Sequence, residues 1–231
     1  GGGTLTNTED NPSNVFATGN PLGSKSITFS NGNNTVTNPT ASPLNTAIAT
    51  LGASSGKYYA EFKATSIGSG TYDVYTGFVN LDKTNLQNTG TLGDTTDGAG
   101  ISSGGGYIYY NGTQFAGPTT ATTNGDIVNL AMDLDNGRLY WGINGTYVNS
   151  GNPASGSTGT GGMPIANITA GGTYTFAVGI QNGATINLNF GNGYFGTTAV
   201  ASAGTNASGN GIFEYDVPTG YTALSTKGLN L

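Results

Sequence analysis

The sequence of 231 residues contains no cysteine and no histidine. Without cysteine there are no disulfides, thiolate metal sites or cysteine nucleophiles. Without histidine the commonest general base and metal ligand are missing, and a Ser-His-Asp triad cannot be built. We therefore expect no catalytic residues, no bound metal and no cofactor.

Charged residues are also scarce, at 8% of the chain, with six Lys plus Arg against twelve Asp plus Glu. No basic cluster is present, which argues against nucleic acid as a partner. No apolar run approaches the roughly 20 residues of a membrane helix, so we expect no membrane insertion. Thr, Asn, Ser and Gly supply the polar surface, a composition common on proteins outside cells or in particles.

The most regular pattern lies between residues 126 and 148 and predicts three short strands joined by two Asn-Gly turns. A two-residue turn at Asn136-Gly137 would place apolar side chains opposite one another on one face. These pairs are Leu134 with Leu139, Met132 with Trp141, and Leu130 with Ile143. The second turn, Asn144-Gly145, would set Trp141 opposite Val148, so one apolar face would cross all three strands.

Further strand candidates follow at close spacing, which is the all-β pattern. The segment from Lys57 to Ala64 alternates and predicts one strand, and Tyr72 to Val79 predicts another. A third two-residue turn, Asn111-Gly112, would set Ile108 opposite Phe115. Residues 86–106 are predicted to be a loop with one edge segment, and residues 82–87 hold the one candidate for helical turns.

Towards the C-terminus, residues 173–180 and 184–190 both alternate. A three-residue loop between them would oppose Ile180 to Ile186 and Phe176 to Phe190, which predicts a hairpin with a bulge. Residues 149–162 and 196–211 are predicted to be loops, and residues 213–215 a short closing strand. About ten to thirteen strands then make a two-sheet antiparallel β-sandwich with extended N- and C-terminal flanks.

Acidic pairs in this sequence have both a chemical and a structural interpretation. Asp133 and Asp135 lie two residues apart and resemble a calcium or acid–base pair, but the hairpin sets Asp135 opposite Arg138 and turns Asp133 to solvent. Asp94 and Asp97 are interpreted as turn formers rather than cation ligands. We therefore predict structural roles for all four.

Aromatic residues are the remaining candidates for contact with a partner. Trp141 shares the apolar face of its hairpin, so we predict that it packs in the core. Tyr107 and Tyr109 alternate with Ile108 and would face away from the core, and Tyr110 is adjacent. These three tyrosines are the predicted ligand or partner contacts.

The order of several segments resembles the SPRY domain, a bent antiparallel β-sandwich similar to concanavalin-type jelly rolls. The segments are GKYYAEF (56–62), YTGFV (75–79), GDIVNLAMDLDNGRLYWGING (125–145), YTFAVGI (174–180) and INLNFG (186–191). The flanks NVFATGNPL (14–22), ITFSNGNNTVT (27–37) and YDVPTGYTALSTKGLNL (215–231) resemble those of SPRY-containing structural proteins of tailed bacteriophages. The insertions at 149–162 and 196–211 depart from that pattern, and no ligand-binding residue is transferred.

The resemblance implies three parts: a lead-in with a small hairpin (1–44), a SPRY-like sandwich (45–192), and a loop insertion with a closing strand and tail (193–231). It implies a non-catalytic structural or binding module of a virion, in a capsid, tail or fibre, with adhesion to a host surface as a further expected role. Partners would be other protein subunits of a particle or filament, or a cell-surface glycan. The alternatives are a secreted or cell-surface adhesin, with residues 1–24 donated as a strand, and a glycan-active concanavalin-like enzyme.

Overall fold

A computed structural model of the chain describes residues 11–24, 26–41, 43–82, 92–168 and 171–230. Short 3-10 turns occur at Pro21–Gly23, Pro153–Thr158, Ile165–Ile168 and Gly228–Asn230. The strands within the described residues are β1 (Thr28–Ser30), β2 (Thr35–Asn38), β3 (Asn45–Ile48), β4 (Lys57–Ser66), β5 (Val74–Asn80), β6 (Gly98–Ser102), β7 (Ile108–Tyr110), β8 (Thr113–Ala116), β9 (Ile127–Asp133), β10 (Arg138–Ile143), β11 (Thr146–Tyr147), β12 (Met163–Pro164), β13 (Tyr174–Ile180), β14 (Ala184–Asn189), β15 (Tyr194–Phe195), β16 (Thr198–Ala199) and β17 (Thr222–Ala223).

Two main sheets account for most of these strands. One has nine strands, in the order β1-β2-β14-β4-β9-β10-β11, with β12 on β10 and β17 on β4. The other has six, in the order β3-β13-β5-β6-β7-β8. All pairings are antiparallel except that of β17 with β4. The predicted fold class, a two-sheet antiparallel sandwich, is confirmed, and no helix in the described ranges is long and apolar enough to cross a membrane.

An aromatic core fills the space between the two sheets. Phe176 of the six-stranded sheet lies 5.6 Å from Phe78 and 6.1 Å from Phe190, measured between ring centroids. Trp141 is 2% exposed, and its indole Nε1–H donates to the Thr76 carbonyl of the opposite sheet at 2.8 Å. The predicted core position of Trp141 is confirmed, and its hydrogen bond ties the two sheets together.

The hairpin of β9 and β10 keeps the predicted apolar face but not the predicted register. Leu139 pairs with Met132 and Trp141 with Leu130, so every pair is shifted by two residues and the loop holds four residues rather than two. The Asp133 carboxylate accepts the backbone amide of Asn136 at 2.9 Å and the side-chain amide of Asn136 at 2.8 Å. These two bonds stabilise the wider turn. The predicted two-residue turn at Asn136-Gly137 is therefore wrong.

The other two Asn-Gly turns have the predicted length. Asn144 and Gly145 have φ of 49° and 80°, and the Val148 amide donates to the Trp141 carbonyl at 3.0 Å, as the predicted pairing requires. At Asn111-Gly112 the strands are also joined by two residues, but a bulge follows and sets Ile108 opposite Ala116 instead of Phe115.

The strands β13 and β14 do not form the predicted hairpin. β13 pairs with β3 and β5 in the six-stranded sheet, whereas β14 pairs with β2 and β4 in the nine-stranded sheet. Their apolar faces meet across the core rather than along one sheet. The predicted hairpin is therefore wrong, although both strands exist. Alternation could not reveal this, because two strands of a hairpin and two strands in facing sheets have the same alternating pattern.

Two further assignments change. β6 lies between β5 and β7 and is an interior strand, not the predicted edge segment. Residues 213–215 form no strand, and the closing strand is β17, further along the tail. The predicted helical turns at 82–87 fall mostly on residues 83–91, outside the described part of the chain.

The flanks pack onto the sandwich and against each other. β2 of the lead-in hairpin pairs with β14, and the Ala17 amide donates to the Leu224 carbonyl at 2.9 Å. Phe213, 1% exposed, packs on Tyr59 at a ring distance of 4.9 Å and so covers the outer face of β4. The three-part division of the chain stays a prediction.

Candidate binding surface

Four tyrosines lie together on the outer face of the six-stranded sheet, and we call them the tyrosine surface: Tyr72, Tyr75, Tyr107 and Tyr109. Ile108 of β7 is buried in the core, so its neighbours Tyr107 and Tyr109 point away from it, with their rings 6.1 Å apart. The outward position that alternation with Ile108 predicts for Tyr107 and Tyr109 is therefore confirmed.

Tyr75 joins this group from a different strand. It pairs with Ser102 of β6, whereas Tyr109 pairs with Gly100, so the two tyrosines flank a strand whose outer face carries Ser102 and two glycines. Burial, and then the nearby Asp94 carboxylate, raise the pKa of Tyr75 to about 12, with smaller effects from Tyr109 and Tyr72. The small residues of β6 make room for the buried side chain of Leu92, which lies over Gly98 and Gly100 and belongs to the cluster against which Tyr75 packs.

The base of the tyrosine surface is anchored and its rim is exposed. Tyr75 packs against a small outer cluster of Ile48, Val79, Leu92 and Ala177, while Tyr72 in the preceding loop is 46% exposed. Tyr110, the last residue of β7, packs instead against the main core. The structure therefore separates the predicted trio, and a contact role for Tyr107, Tyr109 and Tyr110 stays a prediction.

Sequence reasoning did not include Tyr72 and Tyr75. Tyr75 alternates with Val74 and Thr76, which are buried, and this was a usable signal for an outward side chain. Its proximity to Tyr109 depends on β6 lying between β5 and β7. The sequence predicts a loop over residues 86–106 with one edge segment, and this prediction does not bring Tyr75 close to Tyr109.

The acidic residues have structural partners. Asp133 is fully buried and its Oδ2 lies 3.0 Å from the Lys57 ammonium, so the prediction that it faces solvent is wrong. Asp135 accepts the Gly56 amide at 2.7 Å and does not sit opposite Arg138, whose strand partner is Asp133. Within the described ranges no three carboxylates converge to hold a metal ion.

Asp94 and Asp97 lie in the exposed turn that leads into β6. The Asp97 carboxylate accepts the Thr96 hydroxyl at 3.3 Å, and its backbone carbonyl accepts the Asn80 amide at 2.7 Å. The contact with Thr96 is a local one of a turn-forming aspartate, and the bond from Asn80 continues the pairing of β5 with β6.

Two clefts open at the start of β4. A cleft of about 360 Å³ lies between Lys57 and Asp135 on one side and residues 220–222 of the tail on the other. A second cleft of about 220 Å³ lies beyond Tyr58, against Leu229. Tyr58 separates the two clefts, and burial followed by the Asp135 charge raises the pKa of its phenol.

Beneath the C-terminal segment lies a buried carboxylate, Glu61, with no exposed surface. It accepts the backbone amides of Glu214 and Tyr215, each at 2.8 Å, and the Tyr59 hydroxyl at 2.9 Å. Burial raises the pKa of Glu61 from 4.5 to about 7, against the lowering effect of the three donors. The carboxylate is sealed from substrate-sized molecules, so it acts within the fold.

Comparisons with known proteins bear on the fold. No family profile and no curated sequence was found to match the chain. Among solved structures it is similar to the SPRY domain of human HERC1, with 16% identity and a TM-score of 0.56, covering 74% of this chain and 96% of that one. It is also similar to the PSpry domain of TRIM65, with 14% identity and a TM-score of 0.56, covering 75% of this chain and 88% of that one. The chain therefore has a SPRY-like β-sandwich fold.

Proposed function

We propose that the chain is a non-catalytic protein-binding module that contacts its partner through the tyrosine surface. The fold supports this proposal, because SPRY domains as a class are protein-interaction modules and two of them resemble this sandwich over most of their length. The observation that carries the choice of surface is the group of four tyrosines on one sheet face, of which Tyr72 is 46% exposed.

The chemistry of these side chains suits a protein interface. Tyrosine offers a large apolar ring and a hydroxyl with few rotatable bonds, and it is enriched among the residues that dominate binding energy. Tyr75 is held by the outer cluster beneath it, which lowers the entropy that its ring loses on binding. With only 8% charged residues, the chain offers little charge for electrostatic recognition, so ring contacts would supply most of the affinity.

The setting that we propose is a virus particle, in which the partner is another protein subunit of a capsid, tail or fibre. Support comes from the flanks at 14–22, 27–37 and 215–231, which resemble those of SPRY-containing phage proteins. A cell-surface adhesin that donates residues 1–24 to a neighbour is less favoured. Such donation would break the bonds from the Ala17 amide to Leu224 and from the Thr226 amide to Val15.

Site-specific photo-cross-linking in assembled particles would test the proposal. A photoreactive residue is introduced at Tyr109, and a matched variant carries it at Tyr194, a half-buried tyrosine on β15 in a separate two-stranded sheet. We expect a cross-link to another particle protein from position 109 and little from position 194. Equal yields from the two positions, or absence of the chain from purified particles, would reject the proposal.

A further inference from the structure

Glu61 connects the sandwich to the C-terminal segment that covers it. Tyr58, Ala60 and Phe62 of β4 face the core, so Glu61 faces outward under residues 213–216. Its Oε2 accepts the Glu214 amide, and its Oε1 accepts both the Tyr215 amide and the Tyr59 hydroxyl. One side chain therefore binds two consecutive amides of a segment about 150 residues further along the chain.

The same carboxylate continues into a polar network. The Asn129 side-chain amide donates to the Tyr59 hydroxyl at 2.8 Å, and the Gly145 amide donates to Asn129 Oδ1 at 2.7 Å. The hydroxyl of Tyr147 is buried and has no hydrogen-bond partner among the residues that the structure describes, and this phenol interacts electrostatically with Glu61. The network thus joins β4, β9, the Asn144-Gly145 turn and the C-terminal segment.

No cation compensates the Glu61 charge within the described part of the chain. The titratable groups that face it are Tyr59 on its own strand, Tyr147 on β11, and Glu214 and Tyr215 on the covering segment. The nearest lysine on the same strand face, Lys63, places its ammonium over the Phe195 ring at 5.5 Å. Glu61 is therefore held by hydrogen bonds alone, and its ionisation adds a buried charge.

We propose that Glu61 is a pH-sensitive clasp that holds residues 213–216 against the outer face of the nine-stranded sheet and loosens them when it ionises. The proposal is independent of the tyrosine surface, which lies on the other sheet. When the segment lifts, Glu61 meets water and regains an ordinary carboxyl pKa. The carboxyl of Glu61 therefore has a higher pKa in the closed state than in the open state. Opening becomes more favourable as the pH rises from the open-state pKa to the closed-state pKa.

The expected effect follows from the two pKa values. Glu61 has a pKa of about 7 in the closed state, against 4.5 for an exposed glutamate. Between about pH 5 and about pH 8 the equilibrium constant for opening should rise on the order of 100-fold, and it should level off above the closed-state pKa. The open segment would expose the outer face of β4 and the ring of Phe213.

Amide hydrogen exchange of the whole chain tests this directly, with the rates corrected for intrinsic exchange at each pH. We expect protection of the Glu214 and Tyr215 amides to fall over this interval, while the Ala53 amide, bonded to the Tyr174 carbonyl at 2.9 Å in the opposite sheet, keeps its protection. In Glu61→Gln the side-chain amide cannot ionise and accepts through one oxygen only. In this variant the protection of the Glu214 and Tyr215 backbone amides should be lower than in the unmodified chain at every pH, and it should not change with pH.

A second variant keeps the proposal testable if Glu61→Gln does not fold. Tyr59→Phe removes a donor that favours the ionised carboxylate, so the pH at which opening levels off should move upward while the dependence remains. The proposal is overturned if protection at Glu214 and Tyr215 does not change with pH in the unmodified chain. It is also overturned if Glu61→Gln shows the same pH dependence, or if Tyr59→Phe leaves the levelling point unchanged.

Discussion

Replacing Trp141 by Phe tests how the two sheets are held together. Trp141 is 2% exposed, its indole ring lies 5.0 Å from Phe78, and its Nε1–H donates to the Thr76 carbonyl of the opposite sheet. Phenylalanine keeps the aromatic contact with Phe78. It removes the hydrogen-bond donor and leaves part of the indole volume empty.

The magnitude follows from these two losses. Two buried ring carbons are worth about 1.5 kcal/mol at roughly 0.8 kcal/mol each, and the inter-sheet hydrogen bond adds about 1 kcal/mol. With a small cavity term, the free energy of unfolding should fall by about 3 kcal/mol. As a control, Tyr72→Phe removes only the hydroxyl of an exposed side chain and should change stability by less than about 0.5 kcal/mol.

Urea unfolding followed by far-UV circular dichroism is the appropriate assay, because Trp141 is the single tryptophan and its fluorescence is lost in the variant. The midpoint should fall while the slope with denaturant stays the same, since the same surface is exposed on unfolding. A loss below about 1 kcal/mol would refute the inter-sheet role of the indole.

Three further results are expected. Gly145→Ala should cost more stability than Gly112→Ala, because both have positive φ but only at Gly145 would a Cβ lie 2.5 Å from a tyrosine ring; equal losses would contradict the packing. Lys57→Met should destabilise by about 3 kcal/mol in urea unfolding, because Asp133 stays buried without its cation, and a neutral result would argue against that ion pair. For Glu61, whose folded pKa of about 7 exceeds the usual 4.5, the contribution to the free energy of unfolding is greatest below pH 4.5 and falls by roughly 3 kcal/mol as the pH rises from 4.5 to about 7; this part of the pH dependence should be absent in Glu61→Gln.

Alternation in the sequence was enough to predict the core faces but not the register. The β9–β10 hairpin is shifted by two residues from its predicted register, and a shift of two returns every side chain to the same face. The apolar pattern therefore could not distinguish the two registers. The wider turn is chosen by hydrogen bonds from Asn136 to Asp133, which depend on turn geometry rather than on hydrophobicity.

Alternation also does not predict which of the two sheets a strand belongs to. β13 and β14 are adjacent in sequence, but they belong to opposite sheets and their apolar faces meet across the core. The same residues of β13 and β14 would be buried if the two strands formed a hairpin in one sheet. The tyrosine surface was only half predicted for a related reason. The outward positions of Tyr107 and Tyr109 follow from alternation with Ile108, whereas the position of Tyr75 beside them depends on the pairing of β5 with β6.

Hydroxyl-radical footprinting of free chain and assembled particles, read by mass spectrometry, would test most directly whether the tyrosine surface is the contact site. Modification of Tyr72 and Tyr109 should fall several-fold on assembly, because a partner that packs on the rings excludes solvent from them. Tyr194, half-buried in the separate β15–β16 sheet, should be modified equally in both states. Unchanged modification of Tyr72 and Tyr109 in the assembled state would contradict the proposed function.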